Sequence, residues 1–247
     1  MFNFFKPKSS STSGLSALKV DMHSHLIPGI DDGSQNMASS IELIRGLKEL
    51  GYEKLITTPH VLGDMYPNTS QNILGGMDEV RREMVKQGLE IELNAAAEYY
   101  LDEHVEQMLQ RKEKLLTIHD NLVLVEFSMA YASHGLKGIL FELQMQGYQP
   151  VIAHPERYIY YQRQKEFFDE LKDTGCWFQL NLLSLTGHYG KAVNELATYL
   201  VKKSYYDLAG TDLHHAAHIE ALKNPSLHTA LEKLMAGNTI RNEELMG

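Results

Sequence analysis

The 247-residue chain has a single cysteine, Cys176, so it can form no internal disulfide, and a reducing compartment is its natural setting. No apolar run approaches the roughly 18 to 20 residues that a membrane span needs. Basic residues are in the minority. The 23 Lys and Arg against 32 Asp and Glu leave a formal charge of −9, which argues against a nucleic-acid backbone as the main partner. The first residues also lack the order of a secretory signal, in which charge comes first and a longer apolar run follows. Here Phe2, Phe4 and Phe5 precede or flank Lys6 and Lys8, and a Ser/Thr/Gly stretch comes next. Residues 1–17 are therefore expected to be a flexible leader, and residues 18–247 a single domain of a cytoplasmic protein.

From residue 18 onward, short β-type runs alternate with amphipathic helical ones. Strands are expected at 18–22, 54–57, 90–95, 121–126, 150–153, 176–181 and 206–209. Helices are expected at 37–50, with Gly51 as a stop, and at 71–86, 102–110, 135–146, 165–173, 191–203 and 225–235. A last turn of helix is expected at 242–245. Seven strands alternating with helices imply an α/β fold with a parallel sheet, either open and doubly wound or closed as a (β/α) barrel. In both, the reactive surface lies where strands end and loops begin.

The strand ends carry a consistent chemistry. The first ends in Asp21-Met22-His23-Ser24-His25, followed by the turn Asp31-Asp32-Gly33. Later ends bring Thr58-Pro59-His60, Glu98-Tyr99-Tyr100, Glu126-Phe127, His154-Pro155-Glu156-Arg157 and Gly210-Thr211-Asp212-Leu213-His214. His23 and His25 stand two residues apart, the spacing that puts side chains on one side of an extended chain. Five of the twelve histidines thus gather at one edge, with Asp32, Glu98, Glu126 and Asp212 as four carboxylates beside them. Each alone has an ordinary reading: Asp32 before Gly33 forms turns, Asp212 can cap the following helix, and a single Glu or His is a surface or hydrogen-bonded residue. Together those readings would converge several charges at one sheet edge without a compensating cation, which burial penalises.

A single catalytic zinc takes about three protein ligands, so nine donors suit two or three ions. Imidazole and carboxylate without thiolate favour manganese, iron or zinc. Cys176 does not fit a thiolate phosphatase, because position 182, six residues on, is Leu rather than Arg. Its neighbours Trp177 and Phe178 mark it as a core thiol. His215 and His218 are read as surface or supporting residues, and His104, His119, His134 and His228 as solvent-facing. The 61–69 loop is placed to rim a pocket.

These motifs, in this order and spanning Asp21 to His214, resemble those of the polymerase and histidinol phosphatase (PHP) family of metallohydrolases. Within it they are most similar to the manganese-dependent protein-tyrosine phosphatases of bacterial capsule and exopolysaccharide systems. The resemblance implies a distorted seven-stranded (β/α) barrel of the TIM-like, PHP type, holding three divalent ions, manganese first, with iron or zinc as alternatives. The implied ligands are His23, His25, Asp32, His60, Glu98, Glu126, His154, Asp212 and His214, with Glu98 as a bridge and Arg157 as the phosphate clamp. The implied activity is hydrolysis of O-phosphotyrosine by a hydroxide bridging two metals, on a bacterial tyrosine autokinase. A small-molecule phosphomonoesterase of the histidinol-phosphatase kind is the alternative. His60 or His214 is the expected general acid, and Tyr99 and Tyr100 the expected aryl contacts. The 186–190 loop falls outside the motifs.

Overall fold

In the computed structural model, which describes residues 14–133 and 135–247, the chain forms an α/β fold of parallel strands backed by helices. The strands are β1 (Val20–Asp21), β2 (Lys54–Thr57), β3 (His60–Val61), β4 (Glu92–Ala95), β5 (Glu98–Tyr100), β6 (Leu122–Glu126), β7 (Gln149–Ala153), β8 (Trp177–Asn181) and β9 (Leu208–Gly210). The helices are α1 (Met37–Glu49), α2 (Ser70–Lys86), α3 (Glu103–Gln110), α4 (Leu136–Met145), α5 (Glu166–Asp173), α6 (Lys191–Lys202), α7 (Ala216–Leu222) and α8 (Pro225–Gly237). One sheet runs β1-β2-β4 and the other β3-β5-β6-β7-β8-β9.

The described residues thus form nine strands where seven were expected, because two expected runs are each followed, after a two-residue break, by a further short strand. Thr58-Pro59 separates β2 from β3, and proline brings no N–H to a ladder. Ala96-Ala97 separates β4 from β5. The bonding still crosses both breaks, since Ala96 N–H donates to Thr57 O (2.9 Å) and Glu98 N–H to Pro59 O (3.0 Å). Beyond β1 and β9 the chain pairs once more: Ser24 and Leu213 form a parallel bridge, with His25 N–H on Leu213 O at 2.9 Å.

Strand alternation sorts side chains into two apolar layers. Val20, Met22, Ile56, Ala96, Leu124, Val151, Ala153 and Leu208 form a small inner cluster. Their neighbours Leu55, Ala97, Val123, Ile152 and Phe178 belong to the larger layer under the helices. Both faces being covered, all five residues of β6 are buried. Helix starts follow sequence logic: Asn36 and Ser39 form a capping box on α1, and Asp102 caps α3.

Two departures and one expected turn lie outside the main strand–helix pattern. Gly14–Ala17, counted with the leader, form a 3-10 turn with Leu15 fully buried. Residues 1–13 of the leader and His134 lie outside the described residues. Helix α7 was not expected, and Asp212 does not cap it. The cap position is His215, and Asp212 instead takes a left-handed backbone (φ +52°). Residues 242–246 form a 3-10 turn that closes the foot of the seam between β1 and β9. Asn242 Nδ2 donates to Val20 O (2.9 Å) and Ala209 O (2.6 Å), its Oδ1 accepts from Ala209 N–H (2.9 Å), and Leu245 enters the inner cluster. Among the described residues no helix is long and apolar enough to cross a membrane.

Candidate metal centre

Every donor named from the sequence arrives at one place. His23, His25, Asp32, His60, Glu98, Glu126, His154, Asp212 and His214 fall into four overlapping groups, with ligand atoms inside each group within 4.8 Å of one another. Glu98 is central: its Oε2 lies 3.1 Å from His60 Nδ1, 3.2 Å from His23 Nε2 and 3.5 Å from His25 Nε2, and its Oε1 lies 3.2 Å from His154 Nε2. Asp212 Oδ1 faces His23, His25 and His214 at 3.3 to 3.5 Å. Asp32, at the open side, reaches His60 and His214 at 3.4 and 3.5 Å.

Alternation explains how the strands deliver these groups. Ala96, Glu98 and Tyr100 share the inner face of their segment, as do Leu122, Leu124 and Glu126. The same rule would send His154 outward with Ile152. A left-handed turn at His154 (φ +31°) re-aims it inward, and strain of this kind persists where surrounding structure enforces it. Gly33 is required by close approach: a Cβ there would sit 2.3 Å from His25 Cβ and 2.5 Å from His25 O.

The imidazoles are oriented from behind. His23 Nδ1–H donates to Gln179 Oε1 (2.9 Å), whose amide nitrogen is engaged on Leu180 O. His25 Nδ1–H donates to Asp31 Oδ2 (2.7 Å), and His214 Nδ1–H to Asp212 O (2.9 Å). This fixes the proton on Nδ1 and turns each Nε2 toward the cluster, the arrangement of metal-ligating histidines. The Nε2 atoms of His23 and His25 then face each other at 3.4 Å, both also aimed at Glu98 and Asp212. Bare lone pairs so placed repel unless a cation or protons lie among them. The donor set therefore fits divalent ions.

The electrostatics agree. Burial, together with the Glu98 and Asp212 charges, pushes the Glu126 carboxyl well above the carboxylate range. Burial also works against ionisation of Glu98, but His23 and His60 outweigh it and hold that carboxyl well below its usual value. Burial lowers His154 to about 4, so it stays neutral and able to ligate. A cleft of about 760 Å³ opens above the cluster, and Asp32, Asp64, Asp102, Glu126 and Asp212 line it. Arg157 is the one Arg or Lys side chain among its described lining residues. Such a cleft repels an anionic substrate until cations are bound.

Arg157 sits at the wall of the cleft with Nη1 on Asp212 Oδ2 (2.9 Å). Tyr100 lines the cleft, but Tyr99 does not. It lies on the outer face of β5, 1% exposed, where its hydroxyl accepts from Leu116 N–H (2.8 Å), and the expectation that it touches substrate is corrected. His228 is also not simply solvent-facing, since its Nε2–H donates to Leu222 O (3.0 Å). His215 and His218 line the rim. Cys176 is buried, as its neighbours suggested. Sequence reasoning passed over Asp31, Gln179, Asn181, Tyr66 and Tyr189. Tyr66 stacks on His60 (5.8 Å between centroids), and Asn181 donates to Asp212 Oδ2 (2.9 Å) and to the Tyr189 hydroxyl (3.1 Å). Gln179 and Asn181 carried a usable signal, being polar residues at inner positions of an otherwise apolar strand.

Residues 19–241 match the model of a family described as capsular polysaccharide synthesis, CpsB/CapC. The chain is 28% identical over 211 residues to tyrosine-protein phosphatase YwqE of Bacillus subtilis, covering 85% of this chain and 80% of that one. It is 25% identical over 195 residues to the putative tyrosine-protein phosphatase CapC of Staphylococcus aureus, covering 79% and 76%. Among solved structures it superposes with a TM-score of 0.74 and 25% identity on a chain from the crystal structures of YwqE from Bacillus subtilis and CpsB from Streptococcus pneumoniae, described as unique metal-dependent tyrosine phosphatases. That likeness covers 90% of this chain and 96% of the other.

Proposed function

The chain belongs to the CpsB/CapC family of capsular polysaccharide synthesis, and on that premise we propose that it is a metal-dependent protein-tyrosine phosphatase. One observation carries the reading: nine imidazole and carboxylate donors meet at the floor of a cleft whose wall presents Arg157. His23, His25, Asp32, His60, Glu98, Glu126, His154, Asp212 and His214 would hold three divalent ions, Glu98 being the carboxylate they would share. The four overlapping groups support more than one ion, because a single catalytic ion needs about three protein ligands. Manganese is the proposed metal, with iron or zinc accepted according to supply. In the same reading the two sheets are parts of one distorted seven-stave barrel. The bonding across the two strand breaks and the Ser24–Leu213 bridge support it.

Divalent ions at this centre supply acidity to a water and positive charge opposite the phosphoryl oxygens. The chain's own contribution is positional. Arg157 offers a planar fork of donors that takes two phosphoryl oxygens at once. Tyr100 walls the side on which an aryl group would lie. His60 and His214 are the most exposed of the five candidate histidine ligands, and either would serve as the general acid only while it is not holding an ion. A phenolate, with a pKa of about 10, asks little of such an acid. The proposed substrate is a phosphotyrosine segment of a bacterial tyrosine autokinase of polysaccharide synthesis; the family's description supports the polysaccharide setting, and the relatives' names support phosphotyrosine. A cytoplasmic setting fits the lone, buried thiol of Cys176.

The test is elemental analysis of the purified protein with turnover on a phosphotyrosine peptide, a phosphoserine peptide and histidinol phosphate. Two or three ions per chain, preference for phosphotyrosine, and loss on chelation with recovery on adding Mn²⁺ are expected. Equal turnover after chelation, or a strong preference for histidinol phosphate, overturns the reading.

A further inference from the structure

Arg157 is a long side chain on a three-residue 3-10 turn (Pro155–Arg157), and two contacts orient its guanidinium. One is the ion pair with Asp212 Oδ2 at 2.9 Å. The other is the ring of Tyr189, whose centroid lies 4.6 Å from the guanidinium carbon. Tyr189 stands in the loop between the 3-10 helix Leu182–Thr186 and α6, flanked within three positions by Gly187 (φ +75°) and Gly190 (φ +95°).

These contacts close into a ring. Asn181 Nδ2 donates to Asp212 Oδ2 (2.9 Å) and to the Tyr189 hydroxyl (3.1 Å), while Arg157 donates to the same Asp212 oxygen and stacks on the same tyrosine. Asn181 is itself fixed, its Oδ1 accepting from Leu183 N–H (3.0 Å) and its own N–H donating to Glu156 Oε1 (2.9 Å). Asp212 is thereby divided in use. Oδ1 faces the histidines and Oδ2 faces Arg157 and Asn181. Tyr189 lines the cleft beside Arg157, and an aromatic face under a guanidinium leaves its in-plane donors free to point elsewhere.

We propose that Tyr189 is a positioning residue for phosphoryl recognition, its ring presenting the Arg157 fork to the substrate while Asn181 ties that presentation to Asp212. The inference rests on the phosphatase reading and names the part of the site that reads the phosphoryl group. Tyr189 acts through Arg157. Its loss therefore weakens phosphate binding more than the chemical step and leaves the ions in place.

The experiment uses the full chain loaded with Mn²⁺ and compares Tyr189→Leu, Tyr189→Phe, Arg157→Met and the double variant Arg157→Met/Tyr189→Leu. The readouts are KM and kcat on para-nitrophenyl phosphate, the inhibition constant of inorganic phosphate, and bound metal. Tyr189→Leu is expected to raise KM and the phosphate constant about tenfold, with kcat changed less and metal content as in the wild type. Tyr189→Phe, which keeps the ring, recovers most of that loss. In the Arg157→Met background, Tyr189→Leu adds nothing further. The inference is overturned if Tyr189→Leu leaves the phosphate constant unchanged, if its effect is the same in the Arg157→Met background, or if Tyr189→Phe loses as much as Tyr189→Leu. Absence of aryl-phosphate turnover in the loaded wild type would instead sink the phosphatase reading. Direct binding of inorganic phosphate to the same four variants still decides the role of Tyr189.

Discussion

Replacing Gln179 with methionine keeps the volume of an inner-layer side chain and removes its one acceptor. In the native site Gln179 Oε1 takes His23 Nδ1–H at 2.9 Å and His154 N–H at 3.3 Å, both fully buried. The variant leaves two buried donors without partners, which costs on the order of 2–6 kcal/mol of stability, toward the lower end because the second bond is long. The more telling effect is on the metal. Once Nδ1 of His23 has no acceptor, the ring is free to rotate and to carry its proton on Nε2, the atom aimed at Glu98 and Asp212. Losing such a supporting partner lowers metal affinity about 10- to 100-fold. Competition with a chromophoric chelator measures that affinity, and circular dichroism at the same temperature confirms that the variant is folded. Gln179→Glu is the control: it retains an acceptor for His23 and should hold metal far better than the methionine variant. A folded Gln179→Met protein that binds metal as tightly as the wild type refutes the reasoning, since Gln179 would then be packing and nothing more.

Gly33→Ala should lower metal binding and stability together, because its Cβ would lie 2.3 Å from His25 Cβ and 2.5 Å from the backbone His25 O, which accepts from Ser34 N–H. Metal content of the purified variant, set against its melting temperature, checks this, and normal metal loading would contradict it. A second expectation concerns pH. Burial lifts the Glu156 carboxyl from an ordinary 4.5 to about 7, against the bonds it accepts from Tyr206 and the Asn181 N–H. The folded protein therefore binds this proton more tightly than the unfolded chain. Its stability is highest below the ordinary value and falls as pH rises toward 7. Glu156→Gln should remove that slope and gain up to roughly 3 kcal/mol at pH 8, read from urea unfolding at pH 5 and pH 8. A variant with the wild-type slope would show that Glu156 is not its source.

The clustered donors could be read from the sequence because they combine two local signals: a strand pattern, and a His, Asp or Glu at its end. Glu98 and Glu126 needed no more than that, being inner-face residues of regular strands. Tyr99 was expected in the pocket because it follows a donor in sequence, but adjacent strand residues face opposite sides. Glu98 inside puts Tyr99 outside and Tyr100 inside. His154 reached the site by a backbone turn that residue identity does not announce, and the nine-for-seven strand count turned on Pro59 and on a break at two alanines. Gln179 and Tyr189 stayed hidden for another reason. Their roles are contacts with residues 156 and 32 positions away, and distance along the chain carries no local pattern. The helix α7 was obscured by its short length and by the histidines that surround it.

Asn242 gives the order of synthesis a structural meaning. The carbonyl of Val20 and both backbone groups of Ala209 find their partners on this one amide, so the first and ninth strands are not fastened at their lower end until the chain has been made as far as Leu245. His23 and Asp212 stand directly above that fastening, on the same two segments. A nascent polypeptide stalled after His214 would hold every donor, and the direct bonds of Asp212 N–H to His23 O and His25 N–H to Leu213 O, yet lack the fastening beneath them.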